Sequence, residues 1–144
     1  MKIEKILIPF DGSDYSLDAI KCALTLAKQF DAHVTIINCY ELSGDMHSSE
    51  LSEEMLKDVY SGIQQGADEL LKKAETFFAK QGVEYKLKAI SGAPGDVLTE
   101  LAKSKQYDLI VMGSHGHSNV AGAFLGSVTH DVLNTIYCPV LIVP

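Results

Sequence analysis

Between residues 108 and 136 the chain reads DLIVMGSHGHSNVAGAFLGSVTHDVLNTI. Asp108 to Met112 is almost wholly apolar, with no polar residue alternating into it, as a strand covered on both faces requires. Gly113 to Leu125 is a glycine-rich loop. Ser127 to Ile136 has the spacing of a short helix that buries Val128, Val132, Leu133 and Ile136. A further apolar run, Pro139 to Val143, predicts a terminal strand bounded by prolines. Strand, loop, helix and strand in this order make one unit of a parallel sheet, whose neighbouring strands need a crossover connection.

Upstream, the same unit recurs. Ile3 to Phe10 is a buried strand that stops at Asp11-Gly12-Ser13, with Ser13 placed to cap a following helix. From Asp14 to Phe30, residues Ile20, Ala23, Leu24, Ala27 and Phe30 mark one buried helical face. Val34 to Tyr40 is a second strand, followed by the polar stretch Glu41 to Ser49. A longer helix then runs through Leu56, Val59, Ile63, Ala67, Leu70, Ala74 and Phe77. Glu50, Glu53 and Glu54 suit its positive end, and Gly82 is placed to end it. Val83 to Ile90 alternates apolar residues with Glu84, Lys86 and Lys88, the pattern of an edge strand with one exposed face. Ser91 to Gly95 is a loop, and Asp96 to Lys105 a helix with Val97, Leu98, Leu101 and Ala102 inward. Five strands alternating with four helices predict a single-domain α/β fold, an open parallel sheet with helices on both faces. Ligands of such sheets bind beyond the carboxyl ends of the strands where the winding reverses, and Asp11 and Gly113 both stand at such ends.

The totals narrow the function. A chain of 144 residues, 47% hydrophobic and 22% charged, builds one domain with a real core. Nineteen acidic against twelve basic residues give a charge of −7, which repels nucleic acid and anionic membranes. All twelve basic residues are lysines, the last being Lys105, and arginine is absent. Cys22, Cys39 and Cys138 are isolated and odd in number, which suits reduced thiols and a cytoplasmic address. No stretch reads as a signal peptide or a membrane span.

Within the loop, Gly113 and Gly116 are separated by two residues, and nine more lead to Gly126-Ser127 at the start of a helix. Glycines let a backbone approach an anion and adopt positive φ, and a helix N-terminus presents unpaired N–H groups. His115 and His117 are two apart, but spacing fixes no third ligand, so no metal centre is assigned. The first strand lacks the GxGxxG turn of dinucleotide binders, and no GxxxxGK[ST] loop is present.

This glycine signature, with ILIPFDGS, VTIINCYE and the terminal CPVLIVP, resembles the ATP-binding universal stress proteins over essentially the whole chain. The resemblance implies the strand order 3-2-1-4-5 of an adenine nucleotide alpha hydrolase-like sheet, with residues 1–144 as one nucleotide-binding domain. It implies that Pro9, Phe10 and Asp11 line the adenosine side, that Asp11 bonds the nucleoside, and that Cys39 packs near the adenine. Met112, Gly113, His115, Gly116, Gly126, Ser127, Val128 and Thr129 would form the phosphate side. Members of the family often carry lysine or arginine just after the second glycine, where this chain has His117. A triphosphate would then rely on backbone donors, histidines and Mg²⁺ or Mn²⁺. The implied function is an ATP-dependent switch that forms a homodimer through the terminal strand and is read by a protein partner. The alternatives are a slow ATPase or phosphotransferase using the same pocket, and a nucleotide-free dimeric interaction protein. The missing arginine argues against efficient phosphoryl transfer.

Overall fold

A computed structural model describes residues 1–42, 51–117 and 125–144. Its elements run β1 (Lys5–Pro9), α1 (Asp14–Phe30), β2 (His33–Tyr40), α2 (Glu53–Phe78), β3 (Tyr85–Ser91), α3 (Pro94–Lys103), β4 (Leu109–Gly113), α4 (Ser127–Asn134) and β5 (Val140–Val143). The strands form one parallel sheet in the order β3-β2-β1-β4-β5, as expected. Lys5 lies opposite His33, Ile6 opposite Leu109, Val34 opposite Tyr85, and Ile110 opposite Val140.

Side-chain alternation divides the core in two. Ile6, Ile8, Val34, Ile36 and Val111 point to one face, where Ala19, Ile20 and Ala23 of α1 and Leu71, Ala74 and Phe78 of α2 cover them. Leu7, Ile37, Ile110 and Met112 point to the other, beneath Leu98 and Ala102 of α3 and Val132 of α4. Each centre strand is thus apolar on both sides, which explains its unbroken hydrophobic run. Among the described residues no helix is long and apolar enough to cross a membrane.

Several boundaries and faces differ from the sequence reading. β1 starts at Lys5, and Phe10 has left the strand, although its N–H still bonds the Ile37 carbonyl at 2.8 Å. Phe30 is exposed because the chain turns at Asp31, which caps α1 with φ 53°, and feeds Ala32 into the core instead. The buried stripe of α2 is Ala67, Leu71, Ala74 and Phe78, one position from the Leu70 and Phe77 that spacing selected. At 3.6 residues per turn, steps of three and of four from Ala67 and Ala74 fall on either side of one face, and the Phe78 ring settles 5.9 Å from that of Tyr85. None of the first turns of α2 buries a side chain, so Val59 is exposed. Gly82 does not end this helix, which stops at Phe78, and Lys80 makes the first left-handed turn with φ 60°. α3 begins at Pro94, inside the expected loop, because proline's fixed φ suits a first helical residue. α4 ends at Asn134, which leaves Ile136 beyond it and 62% exposed.

Where β4 ends, the sheet meets α1 almost backbone to backbone. A Cβ on Gly113 would lie 2.7 Å from the Tyr15 Cβ and 2.9 Å from its carbonyl carbon and oxygen. Gly113→Ala will lower the free energy of unfolding by about 1–3 kcal/mol, because the obstruction is main chain and cannot step aside. Gly66→Ala, at an exposed helical glycine with nothing within 4 Å of the added carbon, will raise it by about 0.5–1 kcal/mol. Urea titration of both variants measures the two signs.

Candidate functional site

β1 delivers Asp11 to a tight turn that the sequence builds from three residues. The Asp11 Oδ1 accepts from the Ser13 N–H at 2.9 Å and from the Ser13 hydroxyl at 2.5 Å. Ser13 in turn accepts from the Ser16 N–H at 3.2 Å, capping α1, and the Ser16 hydroxyl donates to the Ser13 carbonyl at 2.9 Å. Gly12 takes φ 82°, a backbone conformation that favours glycine, and an added Cβ there would lie 2.8 Å from Leu70 Cδ2, the end of a side chain that can give way. From β2, the Asn38 amide donates to the Phe10 carbonyl at 2.8 Å and fixes the exit of β1.

The other wall comes from β4 and α4. A Cβ on Gly116 would stand 2.6 Å from Asp11 Oδ2, which brings the loop after β4 directly against the carboxylate. A Cβ on Gly126 would lie 3.0 Å from the His115 Cα, and the Gly126 N–H donates to the Ser114 carbonyl at 2.7 Å. Neither glycine, nor Gly113, has positive φ. What these positions require is the missing Cβ, a correction to the conformational freedom expected from the sequence. Gly126 is the N-cap of α4 and offers no side chain to it. The first N–H groups of that helix are therefore left for another acceptor.

Between these walls lies a cavity of about 200 Å³ at the carboxyl ends of the strands. All twelve residues that the resemblance selected line it: Pro9, Phe10, Asp11, Cys39, Met112, Gly113, His115, Gly116, Gly126, Ser127, Val128 and Thr129. Ser16, Ile37, Asn38 and Pro94 join them without having been singled out, and so does His117, the residue that follows the second glycine. Asn38 had a signal, a carboxamide within the apolar run VTIINCY. Pro94 had none beyond its place at a helix start. Residues 118–124 of the glycine-rich loop and 43–50 of the polar stretch after β2 lie outside the described residues.

Chemically the lining is two-sided. Phe10, Ile37, Cys39, Met112 and Val128 give it apolar surface fit for a flat heterocycle, and burial, with Glu41 nearby, pushes the Cys39 thiol up to about 11, so it stays protonated. Thr129 is buried and donates to the Gly113 carbonyl at 2.9 Å, tying α4 to the end of β4. The His115 ring lies 5.2 Å from that of Tyr15, with Nδ1 3.0 Å from the Ser114 hydroxyl. His117 reaches across to donate from Nε2 to the Asp11 carbonyl at 2.5 Å. Among the described residues the lining has one carboxylate, Asp11, and no lysine. Among the described residues no three His, Cys, Asp or Glu side chains gather to hold a metal ion.

Residues 2–144 match the family model described as the universal stress protein family. A universal stress protein of Methanocaldococcus jannaschii is 38% identical over 145 residues, which cover 97% of this chain and 81% of that protein. One from Bacillus subtilis is 31% identical over 147 residues, covering 96% of this chain and 97% of the relative. Among solved structures, the universal stress protein UspA from Lactobacillus plantarum shares the fold with a TM-score of 0.86 at 23% identity, covering 100% of this chain and 99% of its own. A universal stress protein solved in complex with cAMP has a TM-score of 0.73 at 30% identity, with 100% and 99% covered.

The Asp11 carboxyl is pulled two ways. Burial raises its pKa, but hydrogen bonds from the Ser13 hydroxyl and backbone outweigh that, with help from Ser16 and His117, and hold it below the usual value. A depressed folded-state pKa contributes stability that is present above the unfolded value and lost as pH falls through the folded one. Asp11→Asn will therefore destabilise the protein most above about pH 5, and the difference from wild type will shrink below about pH 4. Denaturation midpoints across that range, without added nucleotide, test it.

Proposed function

The chain belongs to the universal stress protein family, and from that membership we propose that residues 1–144 form one nucleotide-binding domain that takes ATP at the carboxyl edge of the sheet. The observation that carries this reading is the meeting, in one cavity, of the Asp11 carboxylate with the side-chain-free start of α4. Asp11 Oδ2 faces Gly116 and is free to accept from ribose hydroxyls, while the apolar surface from Phe10 to Met112 receives the adenine. The N–H groups of Ser127, Val128 and Thr129 and the nearby histidines receive phosphate oxygens. Mg²⁺ or Mn²⁺ is held through the phosphates, since the described residues of the lining supply a single carboxylate. A universal stress protein 30% identical to this chain was solved in complex with cAMP, which supports nucleotide binding.

We infer a switch rather than an efficient catalyst. Positive charge at the transferring group dominates phosphoryl-transfer catalysis, and the cavity has no lysine while the chain has no arginine. Occupancy by ATP, reset at most by slow hydrolysis, then sets the state that a cytoplasmic protein partner reads. The same lack of cations favours one second reading, an adenine nucleotide with fewer phosphate charges, such as cAMP.

Calorimetric titration of ATP, AMP and cAMP decides between them. ATP will bind most tightly with Mg²⁺ present, and Gly116→Val will abolish the binding, because its side chain enters the space against Asp11. In the wild-type complex, single-turnover measurement will find ATP intact after many minutes at 25 °C. Tighter cAMP than ATP establishes the second reading. Hydrolysis faster than about one per second, lost in Asp11→Asn while ATP still binds, makes the chain an enzyme. No binding by any of the three leaves the nucleotide-free interaction protein.

The homodimer is proposed through β5, an edge strand whose Leu141, with Ile136 and Tyr137 before it, is exposed. Val140 and Ile142 pack into the core beneath α3 and α4, so deleting the strand would unfold the sheet. Leu141→Glu leaves those two in place. Light scattering at micromolar concentration will show a dimer for wild type and a monomer for the variant. A wild-type monomer overturns the proposal.

A further inference from the structure

A second cleft, of about 390 Å³, opens at the opposite end of the sheet, at the amino ends of β1, β2 and β3. Side-chain alternation explains its contents. Leu7 and Ile37 belong to the core beneath α3 and α4, so Lys5 and Thr35, each two residues earlier on its strand, point to that same face. Lys86 lies opposite Thr35, and Lys88 opposite Ile37. The two helices of this face pack on each other, and the core beneath them takes in the carboxyl-terminal residues Ile37 and Cys39 of β2 and Ile90 of β3, with no hydrophobic residue from the amino ends of those strands. Thr35 forms a buried floor, and Tyr107, also buried, forms the wall where the chain enters β4.

The charge of this corner opposes that of the molecule. Lys5, Lys86 and Lys88 converge on the cleft within a chain of net charge −7. Among the described residues none of the three ammonium groups has an ion-pair or hydrogen-bond partner. One carboxylate, Glu84, lines the cleft with the lysines, and there it pairs with His33, another lining residue, at 2.7 Å. The Asp108 carboxylate accepts from the Glu4 and Lys5 N–H groups at 2.9 Å. Lysines on an edge strand discourage pairing with other chains, but that task needs only Lys86 and Lys88 and does not call for Lys5 from the sheet's centre.

We propose that this cleft binds a small oligophosphate anion, with Lys5, Lys86 and Lys88 as point charges and the Thr35 hydroxyl as a donor at its floor. Three cations suit a multivalent anion. Lysine serves phosphate as a point charge, whereas planar two-point recognition of carboxylates is the task of arginine, which this chain lacks. A small anion also escapes the long-range repulsion that a net charge of −7 imposes on a large acidic partner, since charges beyond about 8 Å are screened at physiological salt.

Inorganic tripolyphosphate, titrated without magnesium and followed by backbone amide NMR, tests the proposal. The expected result is saturable shifts at Thr35, Lys86 and Tyr107, retained in Gly116→Val. In Lys86→Gln/Lys88→Gln the affinity will fall at least tenfold, and Lys86→Arg/Lys88→Arg will restore most of it. Lys72→Gln/Lys73→Gln, on the surface of α2, will leave it unchanged. Shifts confined to Gly116 and Ser127, an equal loss in the α2 variant, or no saturation below millimolar concentration would each overturn it. Tighter binding of a glutamate-rich peptide than of tripolyphosphate at the same residues would overturn the assignment of the occupant.

Discussion

The carboxyl ends of β1 and β4 lie side by side, while the chains that leave them part company. One enters α1 on the first face of the sheet, and the other continues toward α4 on the second. Divergence opens a gap at the sheet's edge that no described strand or helix fills, the place where open α/β sheets bind ligands. Everything around it is arranged to keep main chain close. Gly113 lets the end of β4 touch Tyr15, Gly116 lets the loop touch Asp11, and Gly126 lets the start of α4 touch His115. With ordinary side chains at these three positions the two walls would be pushed apart.

That constraint separates roles that look alike in sequence. Gly113 faces backbone on α1, so its glycine is a condition of packing. Gly116 faces the free oxygen of a carboxylate, so its glycine is a condition of the cavity. Gly12, three residues before Tyr15, satisfies a conformational need that Gly113, Gly116 and Gly126 do not have, a left-handed φ in the turn that presents Asp11. Asp11 itself is shared between fold and site. One oxygen closes the turn onto Ser13, and the other remains toward Gly116.

The alternation of five strands and four helices was legible because it rests on periodicity, whereas the sheet order and the site residues came through the family resemblance that the glycine pattern carries. The limits of helices were less legible, for a physical reason in each case. Phe77 and Phe78 are neighbours of the same type, and only the position of Tyr85 across the interface selects Phe78. Ile136 carries the right spacing for α4 but lies past its last turn. Asn38 and Pro94 entered the cavity lining through tertiary approach, since one sits at a strand end and the other at a helix start that come together only when the sheet forms.

Charge placement completes the architecture. Among the described residues, the cavity at the carboxyl edge is lined by histidines, backbone and a single carboxylate, while three lysines gather at the amino edge. Strand direction in a parallel sheet sends every strand's end to the same edge, so the two edges of this molecule differ in kind. One is made of turns leading into helices, whose free N–H groups act over short distances and require close contact. The other is made of strand beginnings, where alternating side chains carry full charges on flexible stems. A ligand at the first edge is therefore recognised by shape and backbone geometry. At the second it is recognised by charge, which makes salt a stronger competitor there than at the glycine loop.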